Sequence, residues 1–359
     1  MICNRILHRC IFSVFFFILI LPLGIAGAQA TQTKAFAPLT VKDCNGHEIT
    51  LTRRPQRIAC LYAFTGHVTT MLGRGDGMVA VVKGLKRDRL LGQLLPGLKK
   101  LPVPAAGGTL HIETLLKTRP DIIFLKPETA RVKEEIKKLE RFNLPYFTVG
   151  YRSMDQQMEM IEKMGAILGC TPRAKAYTHA YRRAIAQVRE KTGQLAPKDR
   201  ARLYHSVNET FRTVAPGTLE ADWSRACNVV NVSLDQTLVR QGEKNFAAME
   251  QILLWNPQVI LANEKRAARE ILTHPKWAPI RAVKAKRVYA MPVGISRWGH
   301  PGGLETPLAL LWTGKTVYPH LFPDLDMEAE VMAFYNDFFA MEVDRSLARD
   351  ILGAKGMRR

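Results

Sequence analysis

The sequence predicts an α/β protein of two similar lobes, each on a parallel sheet, with a long helical segment between them. Three observations lead there: one segment occurs twice in the same frame, short apolar runs alternate with helical patterns, and that alternation stops over one interval. The repeated segments are Glu113-Thr-Leu-Leu-Lys-Thr-Arg-Pro120-Asp-Ile-Ile-Phe and Glu250-Gln-Ile-Leu-Leu-Trp-Asn-Pro257-Gln-Val-Ile-Leu. Each reads as a short helix that ends near Pro and then a buried strand of a parallel sheet. Two such lobes leave a cleft between them, a natural place for a ligand.

The chain begins with Arg5 and Arg9, the apolar run 11–23, and Gly24-Ile-Ala-Gly-Ala28-Gln-Ala30. That is the pattern of a secretory signal peptide over residues 1–30 with cleavage after Ala30. The alternative is an uncleaved anchor, against which the apolar run is short for a bilayer. No Cys follows the run at a lipoprotein-like position, so a soluble periplasmic protein is expected. The chain has 52 basic and 32 acidic residues, net +20. The basic residues are spread out, and the run Arg131–Arg141 mixes both signs in a helical pattern, so no nucleic-acid partner is expected. A positive cleft attracting an anionic ligand stays open. Past residue 30, Cys44, Cys60, Cys170 and Cys227 could form up to two disulfides or stand as ordinary core thiols.

The first lobe, residues 38–150, opens with Leu39-Thr-Val-Lys-Asp, an Asn45-Gly46 turn and Glu48-Ile-Thr-Leu, the signature of a hairpin. Strands follow at Arg57–Tyr62, Met78–Val82, Ile122–Leu125 and Pro145–Val149, with helices near Gly66–Leu72, Glu113 and Ala130–Phe142. Over 151–195 the pattern turns helical throughout: Met154, Met158, Ile161, Met164 and Leu168 recur at helical spacing, and Pro172 opens a second pattern. This is the expected connector helix, with the Met stripe in its core. The second lobe, residues 199–320, has strands at Arg202–Val207, within Glu250–Leu261 and at Arg287–Pro292, then a helix near Thr306–Tyr318. The tail, 321–359, carries two amphipathic helices between Asp326 and Leu352.

This order, with Arg57-Ile-Ala-Cys-Leu, the two Glu-to-Pro segments, Trp277-Ala-Pro-Ile-Arg-Ala-Val-Lys-Ala-Lys-Arg-Val-Tyr-Ala-Met-Pro292 and Val331-Met-Ala-Phe-Tyr-Asn-Asp-Phe-Phe, resembles the helical-backbone periplasmic substrate-binding proteins of ABC importers for ferric siderophores, haem and vitamin B12. The resemblance spans about residues 38–350. It implies two Rossmann-like lobes joined by a long rigid connector helix, and a monomer that delivers cargo to an inner-membrane ABC permease with its ATPase. It also implies one docking glutamate per lobe, placed here on Glu113 and Glu250, where charge pairing would set orientation more than affinity. An acid in the first turn of a helix is the plainer account of each.

The family's cleft is lined from loops that follow the strands. Those loops offer Tyr62, Phe64, Lys83 and Arg87 from the first lobe, Tyr151 near the hinge, and His205, Trp223, Arg297, Trp298 and His300 from the second. Arg297-Trp298-Gly-His300 is the most suggestive group: Arg for anionic charge, Trp for stacking, and His300 or His205 for an open metal position. The plainer account is Trp298 packed on the lobe and Arg297 paired locally. Lys83 and Arg87 read equally as a solvated basic turn.

No His-Glu-x-x-His, Gly-x-Ser-x-Gly or Walker A sequence occurs, and His67, His111, His274 and His320 form no spaced pair, so no enzyme is expected. The His-rich loop of the importer proteins that take bare zinc or manganese is also missing. The expected function is capture of an iron chelate, a ferric siderophore, held non-covalently with no covalent cofactor. Haem and cobalamin are the alternatives within the family. A secreted enzyme on a tetrapyrrole or metal chelate, and a binder of anionic polymers, are the alternatives outside it.

Overall fold

The computed structural model describes residues 36–358; the expected signal peptide and its Ala30 site lie outside them. The first element is the antiparallel hairpin of β1 (Leu39–Lys42) and β2 (Glu48–Leu51), with Leu39 opposite Leu51. Gly46 takes the turn at φ +86°, a backbone state that costs glycine little. The buried Asp43 carboxylate accepts the amides of Asn45 (2.8 Å), His47 (2.9 Å) and Thr148 (3.0 Å), which fastens the turn to the neighbouring sheet.

The chain continues through β3 (Ile58–Cys60), α1 (Ala63–Met71), β4 (Met78–Val81), α2 (Arg89–Leu94) and the short pair β5 (Ala105–Ala106) and β6 (Thr109–Leu110). Then come α3 (Ile112–Lys117), β7 (Ile122–Leu125), α4 (Pro127–Ala130), α5 (Lys133–Arg141) and β8 (Tyr146–Thr148). The sheet order is β4-β3-β7-β8, all parallel. Every residue of β3, β7 and β8 is buried, as expected of parallel strands covered by helices on both faces.

The expected single connector is two helices, α6 (Met154–Ile167) and α7 (Thr171–Thr192). Gly169, at φ +67°, ends the first, and Pro172 starts the second in its first turn. They pack against each other, and the absence of a side chain at Gly165 lets Ala174 approach. Met154, Met158, Met160 and Met164 are buried in the main core, which also takes Tyr177, Tyr181 and Val188 from α7.

Beyond them lie β9 (Arg202–Ser206), β10 (Arg212–Thr213), α8 (Leu219–Ala226), β11 (Val230–Asn231), β12 (Val239–Gln241) and β13 (Lys244–Phe246). They are followed by α9 (Met249–Trp255), β14 (Val259–Ala262), α10 (Lys265–Thr273), α11 (Arg281–Lys284) and β15 (Val288–Ala290). The second parallel sheet has the order β11-β9-β14-β15, the same path as the first, with β7 and β14 in equivalent places. A small antiparallel sheet, β10-β13-β12, is added to this lobe alone.

The repeat extends into the backbone. Arg119 (φ 41°) and Asn256 (φ 42°) both turn left-handed after their helices. Arg57 and Arg202, each opening a central strand, then cap these helix ends: Arg57 Nη2 donates to Thr118 O at 2.7 Å and Arg202 Nη2 to Trp255 O at 2.8 Å. The residue after each Pro closes a matching pair of bonds. The Asp121 carboxylate accepts from Arg57 N, and the Gln258 side-chain Oε1 from Arg202 N, both at 2.9 Å.

The chain ends with α12 (Thr306–Val317), which packs on α7, then α13 (Met327–Phe339) and α14 (Arg345–Leu352). Asp326 and Asp344 cap the last two helices as acceptors. All four cysteines of the described residues are free thiols, so neither disulfide allowed by the sequence forms. Cys60 and Cys227 are buried, and burial pushes the Cys60 thiol up to about 12.

Candidate ligand cleft

Loops leaving the carboxyl ends of the strands of both sheets converge. Tyr62 follows β3 and Tyr151 follows β8; Asn208 follows β9, Glu264 follows β14, and the loop 292–304 follows β15. Tyr62 and Tyr151 place their hydroxyls 3.3 Å apart, and Tyr151 Oη donates across to Pro301 O at 2.8 Å. One turn of the second-lobe loop therefore sits directly against the tyrosines of the first.

Arg297 is the cationic centre. Its Nη1 donates to Glu264 Oε1 at 2.7 Å and to Asn208 Oδ1, and its Nη2 lies 2.8 Å from His300 Nε2. The Gly302 amide donates to His300 Nδ1 at 3.2 Å. Both imidazole nitrogens thus face donors, although a neutral ring has only one acceptor. Burial, then the Arg297 charge, holds His300 well below the ordinary histidine range, so the ring is neutral at neutral pH. Asn208 Nδ2 also lies 3.4 Å from Nε2, and the neutral ring carries one proton, so donor contact at one of its nitrogens must yield.

Other charges surround this group. Arg212 and Arg297 are both partly desolvated, which lowers their pKa from the usual guanidinium value. The Glu220 carboxyl is pushed up to about 7 by burial, with Arg212 acting against the shift. Burial likewise pushes the Tyr62 phenol up to about 12, so it is present as a hydroxyl donor.

Of the residues expected from sequence, Tyr62, Tyr151, Arg297 and His300 come together. Phe64, His205, Trp223 and Trp298 do not line the cleft: all four are fully buried. The aromatic ones join the main core, and Trp298 packs on its lobe instead of offering a face to a ligand. His205 lies edge-on to Trp223 at 5.3 Å and meets Asn263 through Nε2 at 3.1 Å, and burial lowers its pKa to about 4. Asn263 in turn donates to Trp298 O at 2.7 Å, so this layer supports the Arg297 loop from below. His205 is therefore a support and not the metal ligand the sequence allowed. Lys83 and Arg87 are exposed on the turn after β4, and no hydrogen bond or ion pair joins them to the cluster.

Sequence reasoning missed Asn208, Glu264, Arg212 and Glu220. Asn208 and Glu264 carried a usable signal, since both stand just past the ends of strands that were legible. No group of three or more His, Cys, Asp or Glu among the described residues is arranged to hold a metal ion. Glu113 and Glu250 lie elsewhere, exposed at the second position of α3 and α9.

Comparison with known proteins agrees with this architecture. A family profile described as periplasmic binding protein matches residues 58–293. The molybdate-binding protein MolA of Haemophilus influenzae is 25% identical over 330 residues, covering 85% of this chain and 92% of MolA. Its structure with molybdate superposes with a TM-score of 0.75 at 22% identity, over 85% of this chain and 99% of that one. The vitamin B12-binding protein of Vibrio cholerae is 23% identical over 66% of this chain and 80% of its own length. Helicobacter pylori CeuE, solved as a nickel–histidine complex, has a TM-score of 0.72 at 18% identity, over 88% of this chain and 99% of that one. These relatives are binding proteins and not enzymes. With two parallel sheets in one order, joined by helices and facing each other across a polar cleft, the chain belongs to the periplasmic binding protein family and is the substrate-binding protein of an ABC importer.

Proposed function

We propose that the protein works in the periplasm, binds a compact anionic metal species in the cleft, and delivers it to an ABC permease with its ATPase. The observation that carries this reading is the arrangement around Arg297. Its guanidinium, held by Glu264 and Asn208, belongs to the same loop as Pro301, whose carbonyl Tyr151 reaches at 2.8 Å from the other side of the cleft. Arg212 and Arg358 also act on His300 here, so the site gathers positive charge, a set suited to a small, oxygen-rich anion. A metal oxyanion such as molybdate, the ligand named for MolA, is the best fit.

The ferric siderophore expected from sequence is the second reading, and His300 favours it. A histidine kept neutral could complete the shell of a chelated iron. Haem and cobalamin stay the alternatives within the family, with a vitamin B12-binding protein among the relatives, although Trp223 and Trp298 are buried and cannot stack on a flat ring. Delivery rests on Glu113 and Glu250, whose equivalent, exposed places make a matched pair, with the protein acting as a monomer.

Tryptophan fluorescence with molybdate, a ferric tris-catecholate, haemin and cobalamin tests the reading. Saturable quenching by molybdate at micromolar or lower concentration, lost in Arg297→Ala, is expected. A Soret band in protein purified from its host, or no response to either anion, would overturn it.

A further inference from the structure

The loop that presents Arg297 and His300 contains no helix or strand, only an isolated bridge between Val293 and Arg297. Its shape is set by Glu305, the residue just beyond it, which is fully buried. The Glu305 carboxylate accepts from Ile295 N at 3.0 Å, Ser296 N at 2.6 Å, the Ser296 hydroxyl and the Tyr335 hydroxyl of α13. Ser296 Oγ then accepts Leu304 N at 2.9 Å, which closes the loop on itself. Gly294 fits only because it has no side chain: a Cβ there would collide with Tyr335 Oη and Glu305 Oε1. The connector helices hold the far end, where Gln157 Nε2 donates to Gly303 O at 3.1 Å and Tyr177 Oη to Leu304 O.

No cation is paired with this carboxylate among the described residues. Burying a carboxyl group without a counter-charge is costly, and only the donors around it offset that cost. Here three of those donors belong to Ile295 and Ser296, immediately before Arg297. We propose that Glu305 is the positioning residue of the ligand site, a buried carboxylate that aims Arg297 and His300 into the cleft without touching the ligand. This rests on reading the cleft as the ligand site.

The test compares wild type with Glu305→Gln and Tyr335→Phe. It combines amide hydrogen exchange resolved over residues 294–303 with affinity for molybdate and for a ferric tris-catecholate. Glutamine keeps the volume but turns an amide donor toward donors. It should speed exchange in 294–303 by about tenfold or more and weaken binding by a similar factor, while the two sheets exchange as before. Tyr335→Phe leaves the Ser296 bonds in place and should change affinity by less than about threefold. Faster exchange spread evenly over the molecule, or a lower melting temperature with unchanged affinity and loop exchange, would overturn the proposal by leaving Glu305 a purely structural role. If Glu305→Gln does not fold, Ser296→Ala removes one donor to Glu305 and the acceptor of Leu304 N, and is judged by the same two readouts. If wild type binds neither probe, the ligand reading falls, and the exchange comparison alone decides the role of Glu305.

Discussion

At the scale of single residues, charge and burial pull against each other around the cleft. Glu264 and Asn208 accept from Arg297, and His300 loses its charge through burial first and then through Arg297 beside it. Removing the guanidinium should therefore do more than delete a contact. Arg297→Ala is expected to weaken binding of the anionic ligand by about tenfold or more, the scale of a lost charge-assisted hydrogen bond, as read by isothermal titration. Glu220 makes a separate prediction for stability. Its folded carboxyl holds a proton up to about 7, whereas the ordinary value is 4.5. The raised folded value means the contribution is fully present below pH 4.5 and is lost as pH climbs through 7. The change is of order 3 kcal/mol at most. Glu220→Gln should remove that decline, visible as urea midpoints that no longer fall between pH 5 and 8.

At the scale of elements, the two lobes repeat a helix end as well as a sequence. Arg57 and Arg202 reach the last carbonyls of α3 and α9, and in each lobe the residue after Pro bonds back to the same strand. Arg57→Ala should cost about 1 kcal/mol of unfolding free energy, measured by urea denaturation, because it leaves carbonyl groups of a helix end without their donor. This capping fixes where each helix ends, and Glu113 and Glu250 stand in the first turn at the opposite ends of the same two helices. Glu113→Ala combined with Glu250→Ala should abolish uptake in the host and leave ligand affinity unchanged. Lost affinity would place these carboxylates in the binding site instead. The hairpin, the sheet strands and the tail helices were legible because their periods and turn residues act locally. The break in the connector was half legible: Pro172 marked the second helix, but the left-handed turn at Gly169 showed only in three dimensions.

At the scale of the whole molecule, Tyr151 bridges to the second lobe at the cleft, and Arg131 pairs with Glu243 across the lobes at 3.1 Å on the surface. Tyr151→Phe removes the bond to Pro301 O and the contact with the Tyr62 hydroxyl. The ligand-free protein should then show a larger radius of gyration by small-angle scattering, and its affinity should fall by less than about tenfold. An unchanged radius would mean that packing of α6, α7 and α12, with the Arg131–Glu243 pair, holds the lobes at their spacing. The sequence by itself determined the α/β class, most strands of the two parallel sheets, the helical interval and the family, but not β11 or the β10-β13-β12 sheet. Apolar periodicity, Pro and Gly act over a few residues and leave a mark that can be read in one dimension. Only the tertiary structure decided which cleft candidates face a ligand. Tyr62, Tyr151, Arg297 and His300 converge, while Phe64, His205, Trp223 and Trp298 turn inward. A loop residue's side of the wall depends on distant partners such as Asn263, Glu305 and Tyr335, and no local pattern encodes those contacts.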